Sequence, residues 1–362
     1  MFVFSLKKTI LLISFLALIV FPSIASESLD NESETYNPVP SIMHHISDSH
    51  EWHLWGEGDQ SFTIALPIIL YSNSFHFFMS SAFHHDEEAK KIVESKESKF
   101  VNFHGKIYEL NSGENEIVFD KDHHILDASI PLDFSITKNV ASMLIGLLVL
   151  LLIFVNSGIK AKKSKGAPSG VLSFLEPIVL FVRDDIVKPN IGKNYNKFLP
   201  YLLTLFFFIL VNNLLGLLPG SANVTGNIAI TLVLSFITLI VTNISGNKSY
   251  WAHIFNPPGV PLALMPIMIP IEIVGIFTKP FALMIRLFAN ISAGHIIILS
   301  LISLIFMAQS GLGNLAAWSL SPVAVVFVLF MDLIEVLVAF LQAYIFTLLT
   351  SLFIGLASVE HH

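Results

Sequence analysis

The 362-residue chain contains no cysteine. Disulfides, thiolate nucleophiles and cysteine-ligated metals are excluded, and the absence fits any redox compartment. Charge is scarce too. Asp, Glu, Lys and Arg make up 13% of the residues, where an ordinary soluble domain carries about 25%. No glycine-rich loop of the form GxxxxGK(S/T) is present, so no nucleotide site is expected. No HExxH motif supports a zinc hydrolase, and no nucleic-acid partner is expected. What remains is apolar: 54% of residues are hydrophobic and the mean hydropathy is +0.71. These values describe a polytopic membrane protein.

The few charges are unevenly placed. Residues 26–138 hold 20 of the 27 acidic side chains and 7 of the 20 basic ones. Residues 139–362 hold 7 acidic and 11 basic. An acidic, water-exposed segment thus precedes a mildly basic membrane part. Residues 1–25 have the three-part layout of a signal peptide: Lys7 and Lys8, an apolar core, then Ser23 and Ala25 before a cleavage point at Ser26. An uncleaved anchor is the alternative.

Residues 26–60 are polar and turn-rich around YNPVP. The runs FTIALPIILYS, SFHFFMSS, KFVNFHGKIYEL and EIVFD predict strands of a small mixed α/β domain. Asp86 to Lys99 reads as a short helix or a disordered loop. Ten of the 14 histidines lie in this extension, in pairs such as His44/His45, His84/His85 and His123/His124. Their spacing defines no ligand geometry, so no metal is assigned.

Five membrane crossings are expected, at 139–157, 199–218, 225–244, 262–309 and 317–357. Lys160, Lys162, Lys163 and Lys165 follow the first and mark its cytoplasmic end. That agrees with an N-terminus outside the cytoplasm and puts the C-terminus inside. Residues 170–198 are too polar to span and read as an amphipathic segment on the cytoplasmic side, or a soluble loop. The last two apolar stretches are overlong. A helix of 40 residues runs about 60 Å, against a hydrocarbon core of about 30 Å. Each is therefore a broken or re-entrant helix, or one strongly inclined helix. Residues 359–362 are a tail.

The overlong stretches carry the chemistry. Glu272, Lys279, Arg286, Asn290 and His295 fall in the first, and Asp332, Glu335 and Gln342 in the second. An arginine at membrane depth costs roughly 2.5–3.5 kcal/mol and by default marks an ion or substrate path. The competing reading is a salt-bridged structural residue or one reaching the interface along its stem; Lys279 fits that second description. The spacing of Asp332, Glu335 and Gln342 puts them on one helix face, with Ala339 between. His295 and Glu335 can form a proton-sharing pair, and Gln342 can hydrogen-bond the Arg286 guanidinium without neutralising it. An arginine cannot relay a proton, but it can draw a neighbouring subunit's carboxylate into its charged form and block leakage between two aqueous paths. Such a layout suits a two-half-channel ion device with a moving partner. Buried contacts that only fix helix register would use the same residues.

At RLFANISAGH (residues 286–295) the sequence resembles the a subunit of the F-type ATP synthase, the stator subunit of the membrane motor. VRDDIVKPNIG, NNLLGLLP, IEIVGIFTKP and LQAYIFTLLT extend the resemblance over residues 139–358. It implies that Arg286 faces the essential carboxylate of a rotating c-ring and that Gln342 is its associated glutamine. It also implies that Asn290, His295 and Glu335 line the outer half-channel and Glu272 the inner, with Asp332 a secondary candidate. Many bacterial members carry the His295 and Glu335 residue types exchanged; mitochondrial members have the order seen here. The resemblance implies a strongly inclined C-terminal hairpin and a transported proton rather than sodium. No resident cofactor is implied. The partners it implies are the c-ring, the b-subunit peripheral stalk, the rest of the complex and membrane lipid. The protein would sit in the cell inner membrane with residues 26–138 periplasmic, an extension like that of Bacteroidetes-type members. It would be a non-catalytic component of the complex. The alternative is an independent secondary transporter, against which stands the lack of an internal repeat.

Overall fold

The computed structural model describes residues 36–55, 62–84, 86, 89–96, 98–111, 128–163, 169–218, 220–256, 261 and 264–358. The expected signal peptide, the EIVFD strand, His123/His124 and the tail lie outside the described residues. The chain divides into two compact units. One contains Asp48–Ala141 and Leu218–Ala222; the other contains Tyr36–Ser47, Ser142–Leu217 and the chain from Asn223 onward.

The first unit is built from short antiparallel strands. β1 (Glu51–Trp55) pairs with β2 (Phe62–Ala65). β3 (Pro67–Tyr71) lies between β4 (Phe75–Met79) and β9 (Leu132–Asp133). β5 (Val93–Ser95), β6 (Ser98–Phe103), β7 (Lys106–Leu110) and β8 (Ala128–Ser129) form a four-stranded sheet in sequence order. The β6–β7 hairpin turns through His104 and Gly105, both at positive φ (48° and 77°). That is the two-residue turn whose twist matches the flanking strands. Ile68, Leu70, Phe83, Val93, Phe100 and Ile107 form the buried core. Of the segment expected as a helix or loop from Asp86 to Lys99, Asp86 and residues 89–92 are irregular, while the rest of its described residues is corrected to β5, a turn at Lys96 and the start of β6. Lys96, at φ 55°, turns the chain so that Val93 and Glu94 pair with Phe100 and Lys99. Cross-strand pairing there outweighs the helical propensity of the charged run.

His50 Nε2 lies 2.8 Å from Asp133 Oδ2, tying the residue just before the first strand to the last strand. Burial pushes the Asp133 carboxyl up, but the hydrogen bonds from His50 and Ser135 and the nearby His50 charge outweigh it and hold it below the ordinary carboxylate value. Asp48 accepts from Thr137 Oγ1 (2.9 Å) and the Asn139 N–H (3.2 Å). It thereby caps the first turn of α2 (Lys138–Lys163), where helix amides lack internal partners.

The second unit is helical. Its α1 (Pro38–Ile46) falls within the stretch that reads as polar and turn-rich. Asn37 accepts from the Val39 N–H as its N-cap, and Pro38 takes the first helical position, where its missing N–H is harmless. α2 is the first apolar helix. α3 (Val171–Phe181) runs through a π-helical stretch (Val182–Val187) into α4 (Lys188–Ile191), and Gly192, at φ 71°, breaks the chain before α5 (Tyr195–Gly216). α6 (Ile228–Ile244) is followed by α7 (Lys248–Phe255) at a bend of 102°. α8 (Met265–Leu312) and α9 (Asn314–Ser358) are unbroken helices of 48 and 45 residues. The choice between broken and continuous long helices is thus settled as continuous. A helix of about 70 Å fits a core of about 30 Å only by inclining or protruding. Among the described residues, four helices are long and apolar enough to cross a membrane, or five when α6 and α7 count as one span.

The core of this unit joins α2, α5 and α9 through aromatic contacts. Phe154 meets Phe207 edge-on at 4.7 Å, and Phe206 meets Phe340 at 6.0 Å. Val182, Ile186, Val187 and Ile191 are buried in the same core as Ile354. Asn190 donates to Ile186 O (2.7 Å) and Ser351 Oγ (3.1 Å), fixing α4 against α9. Gly355 permits that approach, because a Cβ there would run into the Asn190 carbonyl.

Gly355→Ala is expected to destabilise the solubilised protein by about 1–3 kcal/mol, the usual cost of overpacking, measured as a lowered thermal midpoint. For Asp133, the depressed folded value means that the unfolded chain takes up the proton first as pH falls. Its stabilisation is complete above about pH 4 and disappears as pH drops through the folded value. Amide exchange at β9 in the intact protein should accelerate in that window, and Asp133→Asn should abolish the dependence.

Candidate functional site

α8 and α9 form an antiparallel hairpin, and its register decides which polar residues meet. His295 Nδ1 lies 3.0 Å from Glu335 Oε1. The Glu335 side chain is 4% exposed and that of His295 17%. The imidazole supplies the polar partner that a side chain so enclosed requires. Gly294 makes room for it: a Cβ there would lie 2.8 Å from Glu335 Oε1. Asp332 is one turn from Glu335 and exposed.

Further polar groups converge beside the pair. Asn213 of α5 is buried within an apolar helix, donates Nδ2 to Ala339 O (3.3 Å) and accepts from Thr225 Oγ1 (2.6 Å). Ser292, close before His295, donates to Gly226 O (3.4 Å). Sequence reasoning assigned no role to Asn213, Thr225 or Ser292. The signal for Asn213 was present, a polar amide inside an apolar helix. Thr225 lies in a connecting turn, and only the fold brings it to Asn213.

At the other end of the hairpin, Lys279 Nζ sits over the Phe353 ring, 5.7 Å from its centroid. Those two anchor points place Arg286 within about one turn of the level of Gln342. Arg286 is half-buried on α8, and Gln342 is buried on α9 beside Ala339 and Ala343. The hydrogen bond expected from Gln342 to Arg286 is not formed. Among the described residues Arg286 has neither a hydrogen-bond nor an ion-pair partner. Asn290, one turn on, is exposed.

Glu272 is half-buried and close enough to Tyr250 to act on it electrostatically. Nearby, a cavity of about 20 Å³ is lined by Thr242, Asn243, Tyr250, Lys279 and Pro280, among others. It is large enough for about one water. Pro280 removes an amide from the α8 ladder and frees the Ile276 carbonyl, also in the cavity wall. The Thr242 hydroxyl is buried without a hydrogen-bond partner. Polar groups therefore lie on both sides of Arg286 along the hairpin. Among the described residues no group of three His, Asp or Glu side chains is placed to hold a metal.

A family model described as ATP synthase A chain matches residues 140–355. The chain belongs to that family. Residues 41–134 match a second model, a domain of unknown function (DUF8433). ATP synthase subunit a of Chlorobium phaeobacteroides strain BS1 is 48% identical over 262 residues, covering 66% of this chain and 75% of that protein. ATP synthase subunit a 2 of Chlorobaculum tepidum is also 48% identical over 262 residues, covering 66% and 72%. Subunit a of Myxococcus xanthus is 43% identical over 239 residues, covering 64% and 76%. As an F-type ATP synthase a subunit, the protein is a multi-pass membrane stator component that translocates protons. The alternative of an independent transporter gains no support.

The His295–Glu335 contact yields a sharp test of the a subunit. If the pair handles the transported proton, His295→Glu and Glu335→His should each cut ATP-driven proton pumping by about tenfold or more. The double exchange, which restores one imidazole and one carboxylate, should recover most of it. Pumping in inverted vesicles, normalised to assembled complex, checks this.

Proposed function

We propose that Arg286 of this a subunit faces a carboxylate supplied by a rotating c-ring, and that protons reach and leave that ring through two offset half-channels. The observation that carries the reading is the half-buried guanidinium with no partner among the described residues of its own chain. A membrane-depth arginine costs several kcal/mol unless it is paired or has access to the interface. Its geometry here leaves an approaching carboxylate as the natural counter-ion. Arg286 keeps that carboxylate ionised as it passes and, being unable to give up its own proton, blocks transfer from one half-channel to the other.

His295, Glu335 and Asn290 form the outer half-channel, with Asp332 at its margin. A proton entering from outside is held by the His295–Glu335 pair and passed to the ring carboxylate once it leaves Arg286. Glu272 lines the inner half-channel, together with the small cavity at Thr242 and Lys279. Gln342, on α9 within about one turn of the level of Arg286, is the amide that orients the guanidinium when the ring carboxylate is engaged, although no hydrogen bond joins the two in this structure. The carried ion is the proton rather than sodium; an imidazole–carboxyl pair, whose members both take up and release protons, supports this reading. The b-subunit peripheral stalk holds this chain still while the ring turns.

The lysines after α2, Lys160 to Lys165, support a cytoplasmic position for that end. The N-terminal unit is then periplasmic, the C-terminus cytoplasmic and the membrane the cell inner membrane. The division into a cleaved leader to residue 25, an extension over 26–138 and a membrane domain over 139–358 completes this reading.

Arg286→Ala is expected to abolish ATP-driven proton pumping in inverted vesicles while the complex still assembles on a native gel. Passive proton leak should rise. Normal pumping by an assembled variant would reduce Arg286 to a structural residue.

A further inference from the structure

The three-stranded sheet of the N-terminal unit carries large apolar side chains on both faces, with His76 and Asp133 beside Leu70 on one of them. One face carries Ile68, Leu70 and the His76 ring into the core, where they are 0–1% exposed. The strand register stacks the other face in rows. Tyr71 lies between Phe75 and Leu132. Ile69 pairs with Phe77 and accepts from the Phe134 N–H, which sets Phe134 on its other side. Pro67 pairs with Met79 and accepts from the Ile136 N–H in the same way. No charged or hydroxyl-bearing side chain other than Tyr71 enters these rows. Phe75, Phe77, Leu132 and Phe134 are 60–67% exposed.

An antiparallel sheet with one wetted face alternates apolar and polar residues, and this one does not. Three strands about 4.8 Å apart, with same-face residues about 6.8 Å apart along each, make a patch of roughly 300 Å². That is the scale of the largest apolar patch on a typical monomer, which is often functional.

The chain itself indicates the occupant. β9 leads through Ile136 and the Thr137 cap directly into α2, an apolar membrane helix that begins at Lys138. Even fully extended, Phe134 lies within about 14 Å of the helix start, and Leu132 within about 20 Å. The polar zone adds roughly 5–8 Å to each side of the hydrocarbon core. The junction is also fastened. Asp48 caps the helix, and the Lys138 N–H donates to Ser49 O (2.9 Å). Aromatic and large aliphatic side chains on a surface of this kind suit the boundary between headgroups and acyl chains.

We propose that this sheet face rests on the bilayer surface beside the start of α2, with phospholipid as its partner. It holds the N-terminal unit against the membrane.

The absence of cysteine from the native chain makes the test direct. Phe77→Cys, Phe134→Cys and, on the four-stranded sheet, the control Lys106→Cys are placed in an otherwise cysteine-free synthase. Each is labelled with a nitrobenzoxadiazole dye and reconstituted in phosphatidylcholine vesicles, with native gels and ATP-driven pumping confirming the fold. Phosphatidylcholine bearing an acyl-chain nitroxide should remove most of the fluorescence at positions 77 and 134 and little at 106. Soluble iodide should do the reverse. Quenching at 77 and 134 by iodide alone would overturn the proposal by showing a wetted face. Protection from both quenchers would overturn it in favour of another subunit or a second copy of this chain.

Discussion

A guanidinium that cannot lose its proton sits in an apolar helix without a counter-charge among the described residues of its own chain. Arginine stays charged at any accessible pH, so burial cannot relieve its cost by neutralising it, as it can for a carboxylate or an imidazole. The remaining reliefs are a neighbouring dipole, access to water and a carboxylate brought from outside. The hairpin accommodates all three. Gln342 stands near the level of Arg286, polar groups lie along the hairpin on either side, and the arginine remains half-exposed on the isolated chain. An internal salt bridge would satisfy the charge permanently; its absence among the described residues is what leaves room for the proposed ring carboxylate.

Keeping that charge in place demands rigid surroundings. Two helices of 48 and 45 residues supply them, and small residues bring them together. Ala339, between Glu335 and Gln342 on α9, and Ala343, just after Gln342, are fully buried. Gly294 yields the space that the Glu335 carboxylate fills. Hydrogen bonds then hold the hairpin against its neighbours: Asn213 to the Ala339 carbonyl on one side, Asn190 to Ser351 on another. In hydrocarbon there is little competing water, so each of these polar contacts is a positional restraint, and leaving either partner unpaired would be costly. A displacement of one helix turn would move His295 away from Glu335 and carry Arg286 to a different depth.

The N-terminal unit follows different rules. It is a small β structure with its own core, fastened at its base by Asp48 and by the His50–Asp133 contact. Its acidic composition suits an aqueous compartment, while one sheet face carries a dense apolar surface. The proposal of a lipid contact gives that surface a role independent of the ion path.

Much was determined by the sequence alone. The scarcity of charge required a membrane protein, and long apolar runs located its spans, because hydrocarbon accepts few side-chain types and only closed backbone hydrogen bonding. The RLFANISAGH motif, with the distant glutamine, was enough to recognise the family. The helical face shared by Asp332, Glu335 and Gln342 followed from periodicity. Tertiary structure decided what depends on contacts between distant residues. It made the last two helices continuous, set the register that joins His295 to Glu335, and left Arg286 unpaired with Gln342. It also revealed Asn213, Thr225 and Gly294 as parts of the site, and made strands of a charged run that propensity alone leaves open. The physical reason is common to these cases. Composition and periodicity report how one segment meets its solvent, whereas hydrogen-bond partners, close glycine contacts and strand pairing are fixed by the segment that folds against it.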